Sequence, residues 1–566
     1  MEQSTGKLKW SRLATLMAGV ALVVAACGTA STTNNNGNNM ASSDKQILRI
    51  NSGTEPNSLD PGQQSYDYEG LIGRNVFEPL LKPKKDLSDV EGAAASSYDV
   101  SSDGITYTFH IRQNAKWSDG VPLKAKDFVY GYQRILDPRL AAGYTDPFFD
   151  GTIAGAANYA SIDAKNDAAS TTFLQGLGLS APDDHTFVVK LQQPAGYFKW
   201  VASLWVAAPI RKDIVEKYGS DKWATVPSQV IGNGMFKISE QVPKDHITLV
   251  PNDQYWGDKP HLTKIIDYFI DDANQAFSKY QTGELDIQTV PLANADLVQN
   301  DPKLKNELHK LPSLNTFWLT PNLHKAPFDN VKFREAVSHA IDRQSLATDV
   351  SKGQYAPVTT FIPKGMNGYQ PGLSDVQKYD PAAAKAALQA SGVSPAVANG
   401  VHYLARNTTA NKQLAEYITG QIKTNLGLNW TIDVIDSKTV TSRIRKANFD
   451  IYGPDGWGAD YPDPQDWYDI FTTGGCHGTN WGCPNNPDFD KLVQQADQST
   501  KDSDRVTKYN DAGKLLTNQF YVTFLYQRTE WQLIKPYVQG YQATPLDEGI
   551  YLPGDFFTNT IFIANH

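Results

Sequence analysis

The stretch YTFHIRQNAKWSDGVPLKAKDFVYGYQRILDP, from Tyr107 to Pro138, has the features of a strand, a turn and a helix in succession. The turn SDG at 102–104 precedes it, and from Ile105 to Ile111 apolar residues alternate with threonine and histidine. That period of two predicts a half-buried strand. The letters WSDG then mark a turn, and DFV begins a helix. The stretch therefore indicates a fold that combines strands with helices.

Two helices further along the chain support this mixed class. One follows Asn330, has its apolar residues on one face at helical spacing, and has Gly353 beyond its expected end. That face comprises Phe333, Ala336, Val337, Ala340 and Ile341. The other has Asp380 as its N-cap, Pro381 in its first turn and Gly392 as its stop signal. Strand and helix patterns alternate along the whole length, so we expect an α/β protein.

The composition is that of a globular protein with several structural units. Of 566 residues, 40% are hydrophobic and 20% are charged, which supports large buried cores. Domains usually hold about 100 to 200 residues, so this length predicts roughly three or four units. The net charge is -9, and basic residues cluster only within the first dozen positions. Nucleic acid is therefore not an expected partner.

The first 26 residues have the features of a signal peptide. The cations Lys7, Lys9 and Arg12 precede an apolar run from Leu13 to Ala26. This run is shorter than the ~20 residues that a membrane-spanning helix needs. The ending Val-Ala-Ala-Cys resembles a bacterial lipobox, in which the cysteine takes a diacylglycerol. We expect residues 1–26 to be removed and Cys27 to be lipidated. The alternative is an ordinary secretory signal with an incidental cysteine.

Residues 27–43 are expected to form a flexible tether. From Gly28 onward they read GTASTTNNNGNNMASS, a polar tract that cannot pack a core. A flexible coil of about 16 residues has an r.m.s. reach of roughly 20 to 24 Å. A lipid on Cys27 would thus hold the folded body close to the extracytoplasmic face of the cell membrane.

Two other cysteines, Cys476 and Cys483, lie in the stretch GGCHGTNWGCPNN. In an exported protein such a pair most simply forms a local disulfide, and the glycines between them allow a tight turn. Closing so short a loop stabilises a fold by roughly 2.5 kcal/mol in the chain-entropy model. A metal site formed by both cysteines and His477 is the alternative, although a fourth ligand is not evident and the spacing is wide for zinc. We expect the disulfide, and no metal.

Catalytic motifs are nearly absent from the sequence. It has no GxSxG elbow, no Walker P-loop and no HxxxH pair among its ten histidines. Asp460, Asp463 and Asp466 offer spacings that a hydrolase acting on glycans could use as acid and base. Such spacings are common in a chain with 61 acidic residues, and Pro462 and Pro464 place these three on a rigid loop. The sequence therefore favours a binding protein over an enzyme.

Aromatic residues stand beside several turns of the sequence. We expect most of them to pack locally, and a minority to line a concave ligand site. They are Trp117, Tyr255, Trp256, Trp457, Tyr461 and Trp481.

Eight stretches, distributed along nearly the whole chain, match the sequence pattern of one protein family. They are EPNSLDP, NVFEPLL, the Tyr107 to Pro138 stretch, IGNGMFKI, NDQYWGDKP, YQTGELD, PFDNVKFREAVSHAIDR and GWGADYPDP. Together they resemble the family 5 extracellular solute-binding proteins of ABC importers, which include oligopeptide- and dipeptide-binding lipoproteins. The WSDG turn with its helix and the PFDNVKFREAVSHAIDR element are highly specific in combination. The resemblance implies a two-lobed, periplasmic-binding-protein-like α/β fold with an inserted subdomain in the first lobe.

The resemblance also implies a division of this chain into lobes. The first lobe comprises residues 44–80, 205–315 and 535–566. The inserted subdomain covers residues 81–204, and the second lobe covers 316–534. A ligand would be enclosed between the two lobes.

The ligand site implied by the resemblance lies around GWGAD. In peptide-binding relatives the Asp of this element faces the ligand's α-ammonium, which maps onto Asp460. An ammonium removed from water costs several kcal/mol unless a carboxylate replaces that water. Trp457 would stack on a ligand side chain, and the backbone of Gly458 and Ala459 would pair with an extended peptide. Tyr144 is a further implied contact, and the alternative for Asp460 is a loop-capping role.

The sequence departs from some peptide-binding relatives just before this element. Pro454 and Asp455 stand where an Arg can occur. The partner for a peptide's C-terminal carboxylate is therefore not identified by the resemblance.

The resemblance implies a lipid-anchored, monomeric receptor that captures short peptides and delivers them to a permease and ATPase complex in the membrane. It would break no bond and need no cofactor. Its lobes would close only as far as the ligand binds the closed form more tightly than the open one. Three alternatives stay open: the same fold with a sugar, metal chelate or haem as cargo, a secreted lipoprotein hydrolase, and a sensor lipoprotein for peptide signals.

Overall fold

The computed structural model describes residues 39–145, 149, 151–476, 478, 480–547 and 552–566. The expected signal peptide, the lipidation site Cys27 and most of the tether lie outside these residues. Within them, no helix combines the length and the apolar character that crossing a membrane requires.

The strands of the described residues form three larger sheets and two small ones. A four-stranded sheet has the order β1-β10-β9-β8, an antiparallel one has the order β4-β5-β7-β6, and two pairs are β2-β3 and β19-β20. The strands are β1 Ile47–Asn51, β2 Leu81–Pro83, β3 Val90–Gly92, β4 Ala95–Val100, β5 Thr106–Ile111, β6 Leu179–Asp183, β7 Thr186–Lys190, β8 Phe236–Val242, β9 His246–Pro251, β10 Lys264–Tyr268, β11 Ile287–Thr289, β12 Leu308–Pro312, β13 Asn315–Pro321, β14 Tyr355–Pro357, β15 His402–Arg406, β16 Thr431–Ile435, β17 Ile451–Gly458, β18 Thr523–Ile534, β19 Val538–Gln539 and β20 Phe562–Ile563.

The largest sheet has eight strands in the order β11-β18-β13-β17-β15-β16, with β12 and β14 also paired to β18. Its last three strands, β17, β15 and β16, run parallel to one another. Parallel strands place their carboxyl ends at one edge of a sheet, where ligands of α/β proteins usually bind. GWGAD stands at the end of β17, which is one of these three.

Helices pack around the sheets. They are α1 Asp67–Val76, α2 Ala125–Ile135, α3 Asp167–Gln175, α4 Phe198–Val201, α5 Lys212–Tyr218, α6 Ala273–Thr282, α7 Ala295–Asn300, α8 Pro302–Glu307, α9 Val331–His339, α10 Arg343–Ser345, α11 Pro381–Ser391, α12 Pro395–Asn399, α13 Thr409–Leu426, α14 Ser437–Arg445, α15 Gln465–Tyr468, α16 Pro487–Asp497 and α17 Asp502–Asn518. A π turn, Leu346–Val350, and several short 3-10 turns complete them.

The local predictions are confirmed, with one correction. β5 and α2 form the strand and helix of the opening stretch. Asp380 accepts hydrogen bonds from the first amides of α11, and Gly392 ends that helix with a φ of 65°. The helix after Asn330 ends at His339, earlier than expected, because Asp342 caps a new helical turn with its carboxylate.

The antiparallel sheet of β4, β5, β7 and β6 belongs to a hydrophobic cluster of its own. That cluster comprises buried residues between Leu80 and Ala207 together with Tyr461, which is distant in sequence. Tyr461 is fully buried there. The loop after GWGAD is therefore anchored in this cluster, while the lobe boundaries given above stay a prediction.

Candidate functional site

The first three residues of GWGAD are the last three of β17, and this part of the strand has one unpaired edge. β17 pairs with β13 along its length, but it pairs with β15 only at its first two residues. Gly456 is required on this strand because a side chain there would collide with the ring of Phe317. Beyond Tyr452, no strand of the described residues pairs with the other edge of β17.

The register of β17 decides which backbone groups face that open edge. The Ala459 N–H donates to the Leu314 carbonyl oxygen at 2.8 Å, and Trp457 is paired with β13 in the same register. Antiparallel residues alternate between bonding to the partner and facing away from it. Gly456 and Gly458 therefore direct their N–H and C=O groups to the open edge. The N–H of Ala459 is already bonded within the protein, and the pairing of the Gly458 and Ala459 backbone with a ligand stays a prediction.

Asp460 follows the strand and lies beside a second carboxyl group, that of Asp466. The Asp460 N–H donates to Asp466 Oδ2 at 2.9 Å. Asp466 is 3% exposed and Asp460 is half-buried. Burial, and then the negative charge of Asp460, raise the pKa of Asp466 well above its usual range.

Asp463, in the middle of the same loop, has a different environment. Arg505 on α17 donates to both of its oxygens, from Nη1 at 2.8 Å and from Nη2 at 2.7 Å. The side chains are 3% and 8% exposed, for Arg505 and Asp463 respectively. Asp463 Oδ1 also accepts the Gln465 N–H at 3.0 Å. This carboxylate is thus committed to a buried bidentate ion pair that holds the loop.

The two aromatic residues of the expected site are half-buried. Trp457 packs against the hydrophobic cluster that contains Trp467 and Tyr468. Tyr144 packs against the same cluster as Tyr461, the neighbour of Asp460, and its ring centroid is 5.5 Å from that of Trp205. Tyr144 and Tyr461 thus belong to the same large cluster, and a ligand contact by Tyr144 stays a prediction.

The two residues that replace the family's Arg have other contacts. Asp455 accepts a hydrogen bond from Thr320 Oγ1 at 2.7 Å. Desolvation raises the pKa of Asp455 to about 6. Neither Asp455 nor Pro454 offers a positive charge. No pattern in the sequence indicated the pairing of Arg505 with Asp463.

Cys476 and Cys483 are joined by a disulfide with an Sγ–Sγ distance of 2.02 Å. His477, the third member of the alternative metal site, lies outside the described residues. Within the described part of the chain, no three or more His, Cys, Asp and Glu side chains form a group that could hold a metal ion.

Two comparisons identify relatives of this chain. The model of the bacterial extracellular solute-binding proteins, family 5, matches residues 89–478. The oligopeptide-binding protein OppA of Bacillus subtilis is 32% identical over 98% of this chain and 100% of its own length. The periplasmic OppA of Salmonella typhimurium is 31% identical over 96% of this chain and 97% of its own length.

Solved structures agree with the sequence relatives. The murein tripeptide binding protein MppA of Escherichia coli matches with a TM-score of 0.75 at 28% identity, over 92% of this chain and 98% of that one. The Haemophilus influenzae OppA complex with RPPGFSPFR matches with a TM-score of 0.75 at 26% identity, over 92% and 99%. The two-lobed α/β class expected from the sequence is confirmed, and the hydrolase alternative is set aside because these relatives are binding proteins. The chain belongs to the bacterial extracellular solute-binding proteins of family 5.

Proposed function

We propose that this protein captures short peptides between two lobes and delivers them to a membrane permease and its ATPase. The observation that supports this most is the arrangement of GWGAD, where an open strand edge leads to Asp460 and its neighbour Asp466. The relatives support the same proposal, since their names describe oligopeptide and murein tripeptide binding.

The carboxyl pair suits an ammonium group. Burial, and then the charge of Asp460, raise the pKa of Asp466, and a ligand's α-ammonium next to Asp460 would offset part of this effect. Two acidic groups at one half-buried position therefore gain more from a cation than a single exposed carboxylate would. A free peptide N-terminus supplies that cation.

The open edge of β17 suits an extended backbone. Gly456 and Gly458 offer N–H and C=O groups spaced as in a strand, and both lack side chains that would crowd a ligand. Pairing of this kind contacts the main chain of a peptide and ignores most of its side chains. We therefore expect tolerance of peptide sequence, with Trp457 and Tyr144 contacting the side chains.

Anchoring and delivery are part of the same proposal. A lipid on Cys27 would keep the protein on the extracytoplasmic face of the membrane, within reach of a permease. Cys27→Ser should release the protein from the membrane fraction, and a variant that stays as firmly bound as the wild type would contradict lipidation.

A second candidate keeps the fold and changes the cargo. One relative, 28% identical over 92% of this chain, is named a probable deoxycholate-binding periplasmic protein of Escherichia coli. Such a ligand has no ammonium, so Asp460 would contribute nothing to its binding. Fold alone cannot separate these two functions.

The bound ligand itself tests the proposal. The protein is purified without denaturation, and its ligand is identified by native mass spectrometry and by fragmentation after release. We expect peptide masses with free N-termini, and a lower occupancy in Asp460→Asn purified in parallel. A single steroid, sugar or chelate mass would overturn the peptide assignment.

A further inference from the structure

The β5 unit, which is residues 80–207 with the sheet of β4, β5, β7 and β6, touches the rest of the protein at two faces. Its first face meets the elements around the sheet of β1, β10, β9 and β8. There Arg134 pairs with Asp60 at 2.5 Å, and both side chains are almost fully buried. The Arg112 guanidinium lies 3.7 Å from the centroid of the Trp256 ring, and Trp256 packs against the clusters of both sides. This face has the buried contacts of a permanent interior.

The second face of the β5 unit meets α16, α17 and the loop after β17. A side-chain hydrogen bond crosses it from Gln498 Nε2 to Gln193 Oε1 at 2.7 Å, and Gln498 is exposed. Gly104 and Thr500 approach so closely that a Cβ atom on Gly104 would lie 2.8 Å from Thr500 Cγ2. This part of the contact is therefore small, polar and close to solvent, unlike the first face.

Two cavities lie along the second face. One of about 360 Å³ is lined by residues of β4 and β5 together with Thr500 and Asp502. The other, of about 190 Å³, is lined by the turn at Leu87 and by Asp463 and Arg505. Permanent interiors are close-packed and have few voids larger than a water molecule. Gaps of this size are typical of two surfaces that separate and meet again.

The loop after β17 reaches into this second face. Tyr461 is fully buried in the cluster of the β5 unit, but its hydroxyl donates to Gln465 at the start of α15. In the opposite direction Leu87, in the turn between β2 and β3, packs against the cluster that contains Trp467. Each side thus inserts an apolar side chain into the other. The Tyr461 hydroxyl keeps a partner on its own side, so separation of the two sides would not strand it.

Arg505 connects this loop to the β5 unit. Its guanidinium donates to both oxygens of Asp463, and the guanidinium carbon lies 5.8 Å from the centroid of the Tyr197 ring. The same side chain runs beside Gly196, where an added Cβ would lie 3.4 Å from Arg505 Cδ. Asp460 stands on the same loop as Asp463. A movement of the β5 unit at Arg505 would therefore be transmitted to the candidate ammonium site.

We infer that the second face is a latch that the bound peptide closes, and that Arg505 is the positioning residue that links this latch to Asp460. The inference rests on the proposed function. A peptide at Asp460 favours the loop position in which Tyr461 enters the β5 unit, and the closed latch then slows release of the peptide. The first face stays in contact throughout. A ligand closes the latch only as far as it binds the latched form more tightly than the open form.

Cross-linking across the Gln193–Gln498 contact tests the latch. Gln193→Cys and Gln498→Cys are introduced together into the Cys27→Ser protein, in which Cys476 and Cys483 already form a disulfide, and a short bismaleimide joins the new pair. The probes are oligoalanine peptides of three to six residues, added after removal of any co-purified ligand. We expect the peptide to raise the cross-linking rate by about threefold or more. The cross-linked protein should release the peptide about tenfold more slowly than the open protein.

The matched control is the pair Lys124→Cys and Asp184→Cys. The native side chains form an exposed ion pair at 2.7 Å within the β5 unit, so cross-linking there should not respond to peptide. Arg505→Lys tests the positioning role, because it keeps a cation for Asp463 but lacks the planar guanidinium. In that variant the peptide should raise cross-linking at the latch less than in the parent protein. Melting curves of all variants separate folding defects from a lost response.

A steric block gives an independent measurement. Thr500→Trp should collide with Gly104 in the latched form, and it should speed peptide release by about tenfold with little change in the association rate. Thr507→Trp is its control, because Thr507 is exposed on α17 and lines neither cavity. Stopped-flow binding and displacement measure both rates.

The outcomes separate the inference from the proposed function. If the wild type binds none of the peptides, or ignores their N-acetylation, the proposed function fails and the inference fails with it. If the peptides bind but leave cross-linking at the latch unchanged, the contact is permanent and only the inference fails. It also fails if Thr500→Trp and Thr507→Trp release peptide at the same rate. A full response in Arg505→Lys would contradict the positioning role of Arg505.

Discussion

Asp463 and the pair of Asp460 and Asp466 have opposite electrostatic environments, although Asp460 and Asp463 lie on the loop after β17 and Asp466 lies in the first turn of the next helix, α15. Asp463 is held by both guanidinium nitrogens of Arg505 and is buried with it. Asp460 and Asp466 lie against each other, and the charge of one raises the pKa of the other. The first arrangement satisfies a charge within the protein. The second concentrates negative charge at the end of an open strand edge.

The two environments suit different roles: the Asp463 ion pair holds the loop in place, whereas the pair of Asp460 and Asp466 is suited to binding a cation. A buried bidentate pair fixes the loop but has no capacity left for a ligand. Two adjacent carboxyl groups are costly for the empty protein, and they favour any cation that arrives. The resemblance to a hydrolase dyad is thus explained without catalysis, because one of the three carboxylates is structural and the other two form the candidate ammonium site.

Loss of the Arg505 side chain should give the largest effect. Arg505→Met leaves Asp463 buried without its partner, so we expect the free energy of unfolding to fall by about 3 to 5 kcal/mol. Denaturant unfolding measures this. Lys514→Gln, on the same helix, breaks only the exposed pair with Asp511 and should cost less than about 1 kcal/mol. If both variants lost the same free energy of unfolding, the role of Arg505 in holding the loop through Asp463 would be contradicted.

Asp460→Asn should leave stability nearly intact and reduce peptide affinity. The ligand's ammonium would lose its carboxylate, a loss of about 2 to 5 kcal/mol for one partner of a buried charged pair. N-acetylation of the peptide should weaken the wild type by a similar amount and the variant much less, since both changes delete one interaction. Calorimetry on the four combinations measures the coupling. Equal sensitivity to acetylation would mean that Asp460 is a loop-capping residue.

The sequence predicted local structure better than it predicted the site. The strand at Tyr107 and the helix between Asp380 and Gly392 follow from periodicity and capping, which depend on near neighbours. GWGAD was found by resemblance. The hydrogen bond from the Ala459 N–H to the Leu314 carbonyl oxygen was not predicted, because it depends on the register with β13, which the pattern of one strand does not reveal.

Long-range partners were missed for the same reason. Nothing near Asp463 in sequence indicates that Arg505 neutralises it. The pairing arises because the fold brings α17 against the loop that follows β17. The buried aromatic residues were foreseen more easily, since Trp117 packs in the core as expected of a residue beside a turn.

The disulfide between Cys476 and Cys483 should stabilise the fold without changing the affinity for a ligand. Replacing Cys476 and Cys483 together by serine should lower the free energy of unfolding by roughly 2.5 kcal/mol, the loop-closure entropy of so short a ring. Peptide affinity should stay within about twofold of the wild type, by the additivity of distant sites. Intact mass before and after alkylation tests for the bond, and two free thiols in the native protein would contradict the disulfide.

Proton release on peptide binding is the smallest expected effect, and it reports on Asp466 directly. In the free protein, burial and the charge of Asp460 raise the pKa of Asp466. An ammonium at Asp460 should lower that pKa, so the complex binds fewer protons than the free protein. Affinity should therefore rise with pH, by at most about tenfold per pH unit for one proton.

Calorimetry between about pH 5 and 6.5, where a peptide ammonium stays charged, measures this release through buffers of different ionisation enthalpy. Asp455, with a pKa of about 6, titrates within this pH range, so a variant is needed to identify the source of the proton. Asp466→Asn should abolish most of the proton release while keeping an acceptor for the Asp460 N–H. Undiminished release in that variant would assign the proton to Asp455 or another group. It would also show that the carboxyl pair does not respond to the ligand, and that Asp460 acts alone.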